Sequence, residues 1–338
     1  MNITTLGIDL AKNVFQLHGV DAQGKVMLKK KLNRSGLSDF VAKLPNCLIG
    51  MEACGSSHYW ARKFQSFGHT VKLMSPQFVK PYVKSNKNDE KDAEAICEAV
   101  TRPNMRFVQI KQLEQQDMQC LHRIRSQSIK NRTALTNQIR GLLSEYGIIF
   151  PKQIQNVKKL LPDIISDQTN ALGDYARTLF GELYSDFIML NNRIKKYDQE
   201  IAALSKANKN CQRIEKIPGV GILCATAIVA AISDPTLFKN GRELSAWLGL
   251  VPRQSSSGGK QNLLGISKRG DNYLRCLLVH GARAVLYNSK NKENPTNKWV
   301  IALKERKGAN KAVVALANKN ARIIWALLIK QEEYKYAV

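Results

Sequence analysis

Residues 88–100, NDEKDAEAICEAV, place the tightest constraint on how this 338-residue chain can fold. At 100° per residue the stretch is a helix with two unlike faces. Glu90, Glu94 and Glu98 follow one another at i, i+4 and form a solvated acidic edge. Asp89 and Asp92 fall in the arc of Ala93, Ile96, Ala99 and Val100, the arc that must turn toward a core. Burying an unpaired charge is very costly. The helix therefore has to dock against positive charge, supplied by an arginine or by a metal ion.

The residues before it alternate strand and helix. Strands are expected at Thr4–Leu10, Val14–Val20 and Lys25–Leu32, a helix at Leu37–Leu44, a strand at Cys47–Met51, a helix at Ser57–Phe67, a strand at Val71–Met74 and a helix near Gln77–Val83. Three strands followed by alternating helices and strands is the order of an RNase H-like α/β sheet. In that order the first and fourth strands are neighbours. Asp9 closes the first in GIDLAK and Glu52 the fourth in GMEACG, and an acid gains nothing from a strand interior. Both carboxylates are expected in one cleft, joined there by Asp89 and Asp92. Clustered like charges cannot all ionise without a counter-charge. A hard cation held by oxygen ligands, Mg²⁺ or Mn²⁺, is the expected solution.

From about residue 111 the pattern changes to long helices. Leu113–Tyr146 and Leu172–Ala207 read as an antiparallel arm, the second carrying a near-heptad series through Leu179, Leu183, Phe187, Leu190, Ile194 and Ile201. After residue 210 the chain reads as an all-α domain with a polar loop at Gln254–Lys260. Within it, Pro218-Gly219-Val220-Gly221 forms a helix-hairpin-helix-like turn whose backbone N–H groups suit DNA phosphate. The boundaries expected are 1–110, 111–209 and 210–338. The loop holds three serines before Gly258 and Gly259, flanked by Arg253, Lys260, Lys268 and Arg269, so a hydroxyl there would stand among cations. Trp60, Trp247, Trp299 and Trp325 read as core residues rather than base-stacking platforms.

Net charge is +25, and residues 201–338 alone hold 23 basic against 8 acidic residues. That imbalance points to a polyanionic partner, nucleic acid before an anionic membrane surface. No apolar run approaches the ~20 residues of a membrane span. The seven cysteines include no CxxC pair, which argues against a zinc site and fits a reducing, cytoplasmic setting.

GIDLAK, GMEACG and NDEKDAEAI, followed by IPGVG, WLGLVPRQSSSGGK, GISKRGDNYLRCLLVHGARA and ANKNARIIWALL, resemble the DEDD transposases of the IS110 insertion-sequence family, which includes the Piv pilin-gene invertases. The resemblance covers essentially the whole chain, in order. It implies a RuvC-like (RNase H fold) catalytic domain, a coiled-coil arm and a helical transposase domain. It carries the four acids onto Asp9, Glu52, Asp89 and Asp92, and the nucleophilic serine onto Ser257, which precedes Gly258. It also implies donor and target DNA as substrates and a non-coding bridge RNA as guide. Dimers joining into a tetramer would bring the acids of one subunit near the serine of another. Two rival readings remain: a RuvC-like nuclease or junction resolvase needing only the acids and water, and a non-catalytic basic DNA-binding protein.

Overall fold

The computed structural model describes residues 2–84, 88–232, 234–288 and 294–335. It divides into two compact units, Met1–Gln112 and Leu113–Val338.

The first unit is a mixed sheet with helices. In chain order it runs β1 (Thr5–Leu10), β2 (Val14–Val20), β3 (Val26–Asn33), α1 (Arg34–Ala42), β4 (Leu48–Glu52), α2 (Ser57–Ser66), β5 (Thr70–Met74), α3 (Pro76–Val79, prolonged by a 3-10 turn at Lys80–Tyr82), α4 (Asp89–Val100) and β6 (Phe107–Val108). The strand order is β3-β2-β1-β4-β5-β6. β1 pairs antiparallel with β2 and parallel with β4, so the first and fourth strands are neighbours. Five of the six β1 side chains are buried, as befits a central strand covered on both faces. Leu6, Ile8, Phe15, Ile49, Trp60 and Phe64 lead the main core.

Two glycines explain how α4 reaches the sheet. A Cβ on Gly7 would lie 2.4 Å from the carbonyl oxygen of Ala93 and 2.5 Å from the amide nitrogen of Cys97. One on Gly50 would lie 2.8 Å from Val100 Cβ. Only glycine at these points of β1 and β4 lets the α4 backbone press onto the strands. Ile96, Ala99 and Val100 are buried beneath it with Met74 and Val79.

The second unit holds α5 (Leu113–Glu145), α6 (Ile154–Ser166), α7 (Asp174–Ala207), α8 (Lys209–Glu215), α9 (Ile222–Ala231), α10 (Gly241–Trp247), β7 (Pro252–Ser257), β8 (Lys260–Ile266), α11 (Asn272–Asn288), α12 (Pro295–Lys307) and α13 (Ala309–Lys330). Arg125 meets Asp198 at 2.6 Å and Arg132 meets Asn191 at 2.8 Å, which sets α5 and α7 antiparallel. The buried seam of α7 is Phe180, Phe187, Ile194 and Ile201, a strict seven-residue spacing. Leu179, expected in that seam, is instead 42% exposed, because Phe180 beside it takes the inward position.

α6 has no counterpart in the sequence reading, and Pro162 inside it is the reason, since proline usually breaks a helix. Proline removes the hydrogen bond to the carbonyl of Lys158, and the Tyr184 hydroxyl donates to that oxygen at 3.4 Å.

The polar loop is likewise corrected. Gln254–Lys260 lies in a two-stranded hairpin, not an irregular segment of an all-α domain. Gly258 (φ 54°) and Gly259 (φ 77°) are both left-handed, the two-residue turn that suits strand twist. Trp247 and Trp299 are 38% and 37% exposed, so only Trp60 of the four tryptophans is fully buried. α13 is the one helix among the described residues long and apolar enough to cross a membrane. Its stripe from Ala312 through Leu316 and Ala321 to Leu328 is buried in the helical core, which makes it a core helix.

Candidate active site

Asp9 is the penultimate residue of β1 and Glu52 the last of β4. The parallel ladder pairs Ile8 with Met51, so the two acids come next on adjacent strands. α4 adds the others. Asn88 caps it, its side chain accepting from the amide of Glu90 at 3.1 Å, and this fixes Asp89 and Asp92 in the first turn. The positive end of the helix dipole eases their accumulation there.

The carboxylate oxygens of Asp9, Asp89 and Asp92 lie within 4.8 Å of one another. Glu52 stands beside this trio rather than inside it. Burial raises its carboxyl above the usual range, and the negative charges of Asp9 and Asp92 raise it further. The Cys54 thiol is pushed up by burial, then by Glu52 and Asp9. Negative charge therefore gathers at the C-terminal ends of β1 and β4.

The opposite side of α4 behaves differently. Glu90 pairs with Lys29 at 3.1 Å, Glu98 with Lys84 at 3.0 Å, and Glu94 with Lys91 at 3.2 Å. The glutamate edge is thus held by lysines and is only partly solvated. The aspartate edge concentrates charge. Three hard oxygen donors at this spacing fit a divalent cation: opposite ligands of one Mg²⁺ stand roughly 4 Å apart, and paired ions roughly 3.5–4 Å.

Packing sets up a direct test. Gly7→Ala drives a methyl into the backbone of α4, and the clash is relieved only by lifting the helix that carries Asp89 and Asp92. We expect a loss of about 1–3 kcal/mol of stability, the usual cost of overpacking, with weaker Mn²⁺ binding by calorimetry. Unchanged binding would show that α4 does not set the ligand geometry.

The hairpin presents the serines. All of β7 is exposed. Ser257 is its last residue, paired with Lys260 across the turn. Side chains alternate along a strand, so Ser255 and Ser257 share a face and Ser256 takes the other. The Ser256 hydroxyl accepts from Gln254 Nε2 at 2.8 Å. The register shifts between Pro252 and Gln254, a bulge at Arg253.

The hairpin's base is tied to the helical core. A Cβ on Gly249 would lie 2.1 Å from the Arg269 carbonyl oxygen, and one on Gly270 2.0 Å from that of Trp247. Lys268 adopts a left-handed φ of 54° between them. Buried Arg275 donates to the carbonyls of Leu248 and Arg269, each at 3.2 Å. Lys268 and Arg269 remain exposed, as do Arg253 and Lys260.

At the α8–α9 turn, Gly219 has a packing reason for its identity. Its φ is 85°, and a Cβ would lie 2.8 Å from the carbonyl oxygen of Gly281 in α11. Gly221 is exposed at the N-cap of α9, with no side chain capping that end. The sequence reading passed over Gly7, Gly50, Cys54 and Arg275. Isolated glycines inside TLGIDL and LIGME were the legible signal for a close backbone approach. Nothing local marked Cys54 or Arg275.

A mixed α/β sheet with acids at the ends of its central strands, followed by a helical C-terminal region, is compatible with a DEDD, RNase H-like transposase. Comparison with known proteins agrees. Residues 6–148 match a transposase profile of the IS110 DEDD type, and residues 211–296 match "Transposase IS116/IS110/IS902 family". The chain is 47% identical over 336 residues to a "Probable family 20 transposase" of Pseudomonas aeruginosa, covering 99% of each chain. It is 49% identical to the "Transposase for insertion sequence element IS1111A" of Coxiella burnetii, over 99% of this chain and 92% of the relative. Similarity at 23% identity extends to the "Pilin gene-inverting protein" of Moraxella bovis. The chain belongs to the IS110/IS116 family of insertion-sequence transposases, enzymes that act on DNA in transposition.

Proposed function

We propose that this transposase cuts and rejoins DNA strands with a metal-binding acid cluster, Asp9, Glu52, Asp89 and Asp92, and a serine nucleophile, Ser257. The observation that carries the reading is the convergence of three aspartate carboxylates at the ends of the central strands with Glu52 alongside. Magnesium, or manganese, is the proposed ion. Bound there, it would offset phosphate charge and polarise the scissile phosphodiester.

The serine step balances without a further reactant. Ser257 Oγ attacks phosphorus, the P–Oγ bond forms as the P–O bond to one deoxyribose breaks, and the displaced sugar hydroxyl leaves with a proton equivalent to the one the serine gives up. Attack by a hydroxyl of the new partner strand reverses the exchange and frees the serine. The ester conserves bond energy between cutting and joining. An exposed serine at the tip of an anchored hairpin supports this recombinase over a nuclease that needs only water.

Arg253, Lys260, Lys268 and Arg269 would hold the DNA backbone around the hairpin, and Gly219 and Gly221 the backbone near the α8–α9 turn. For Gly219 that role shares the position with its packing on Gly281. The proposal extends to a bridge RNA as guide, to dimers pairing into a tetramer, to action in the bacterial cytoplasm, and to separate roles for residues 1–110, 111–209 and 210–338. The positive charge of residues 201–338 supports a polyanionic partner of either kind. DNA binding should weaken with salt at a log–log slope of roughly −0.9 per phosphate neutralised. Replacing Lys268 and Arg269 with alanine should flatten it; an unchanged slope would remove this pair from the backbone contacts.

A further inference from the structure

Behind the serine hairpin, on the helical core, lies a groove of about 1460 Å³ that no step above uses. Among the described residues, four that line it are charged, and all four are cationic: Arg242, Lys311, Lys319 and Arg322. Between them the walls are apolar and aromatic. Leu263 and Leu264 of β8 enter from the hairpin side, 62% and 45% exposed, and Trp299 of α12 stands 37% exposed. Apolar side chains, cations and an exposed aromatic ring in one lining are the combination that binds unpaired nucleotides. The cations track phosphates, and the ring accepts a base, whatever its identity.

Three details favour a strand over a small ligand or a peptide. The groove exceeds the ~300–1,000 Å³ usual for small-molecule sites. The Lys319 ammonium lies over one face of the Trp299 ring, 4.7 Å from its centre, so a base would stack on the other face or take the lysine's place, with that cation left near its phosphate. At one end, Asn310 and Lys311 line the groove from the first turn of α13, where no side chain caps the helix. Uncapped amides and the dipole of a 22-residue helix add to the pull on a phosphate. The rigid wall is Trp325, whose indole N–H donates to the carbonyls of Pro235 and Phe238 at 3.2 and 3.0 Å.

We infer that this groove binds a single-stranded segment of the DNA substrate, with at least one unstacked base against Trp299. The inference rests on the family's action on DNA and is read as binding, so it stands or falls separately from the chemistry of Ser257. A strand held on one wall of β8 would lie along the same hairpin that carries the serine, and strand exchange must unpair DNA near the cut.

The test uses the full chain and fluorescence anisotropy with a labelled single strand of about twelve nucleotides, its duplex, and an RNA of the same sequence. Trp299→Ala should weaken single-stranded DNA binding roughly 5- to 150-fold, as expected for losing one base–aromatic stack, and leave duplex affinity unchanged. Leu263→Ser changes an exposed residue and keeps the fold; it should weaken single-strand binding in the same sense. Wild-type affinity in both variants overturns the inference. So does an equal loss on duplex, which would mean a general backbone contact. A loss confined to the RNA would assign the groove to RNA instead.

Discussion

Ser257→Ala should abolish strand exchange, a loss on the order of 10⁴-fold or more, as expected when a covalent nucleophile is removed. Its stability should stay within about 0.5 kcal/mol of wild type, because the side chain is exposed and buries nothing. Two neighbouring serines are internal controls. Ser256 points to the other face and its hydroxyl is engaged by Gln254, so Ser256→Ala should leave exchange nearly intact. Ser255 shares the face of Ser257 but stands two residues farther from the turn; Ser255→Ala should have an effect of a few-fold at most. Recombination assays with end-labelled donor and target DNA read all three. Normal exchange by Ser257→Ala with loss in Ser255→Ala would move the nucleophile by one strand period.

Asp92→Asn should be as damaging to activity and harmless to the fold. Removing one of three carboxylates whose oxygens lie within 4.8 Å of each other takes away a proposed metal ligand and a negative charge. Strand cleavage should fall on the order of 10³-fold, in the range seen when a main electrostatic contact to the reacting group is lost. Metal-free stability should hold or rise. Burial is the main reason the Glu52 carboxyl is raised, and the charges of Asp9 and Asp92 raise it further, so removing the Asp92 charge relieves part of that repulsion. Divalent metal adds stability as it saturates its site, by about 2.7 kcal/mol at a hundredfold excess over Kd. Wild type should show that gain in thermal unfolding with Mn²⁺, and Asp92→Asn should show little. If the acids were merely structural, the variant would unfold early and metal would make no difference to either protein.

Much of this was legible where one short-range rule governs. Asp92 is half-buried, as 3.6-residue periodicity expects, whereas Asp89, the first residue of α4, is exposed because the helix has only begun there; α4 starts where Asn88 can cap it. Strands β1, β2, β4 and β5 were found within a residue or so, because their apolar runs are bounded by turn residues. The neighbourhood of Asp9 and Glu52 followed from strand order, since parallel neighbours with equal offset bring their C-terminal residues together.

What escaped depended on partners distant in sequence. α6 is hidden by Pro162, and the carbonyl that the proline leaves unpaired accepts from a tyrosine in another helix. β6 is two residues long and exists only by pairing with Leu73 and Met74. The serine hairpin reads as a polar loop when serine and glycine composition is weighed above the Gly-Gly turn signal between runs of six and seven residues. Gly258 and Gly259 form the two-residue turn that follows Ser257. Trp299 was counted as core on residue type alone, and its exposure comes from α12 and α13 leaving a groove between them and the hairpin.

One measurement tests the union of acid cluster and serine most directly: the protein–DNA adduct resolved on a denaturing gel with labelled DNA, with and without Mg²⁺. The account predicts a slow-migrating band for wild type that needs the divalent ion, maps by peptide mass to Ser257, and vanishes in both Ser257→Ala and Asp92→Asn. Cleaved DNA with no adduct on any serine, or an adduct that forms undiminished in Asp92→Asn, would contradict it.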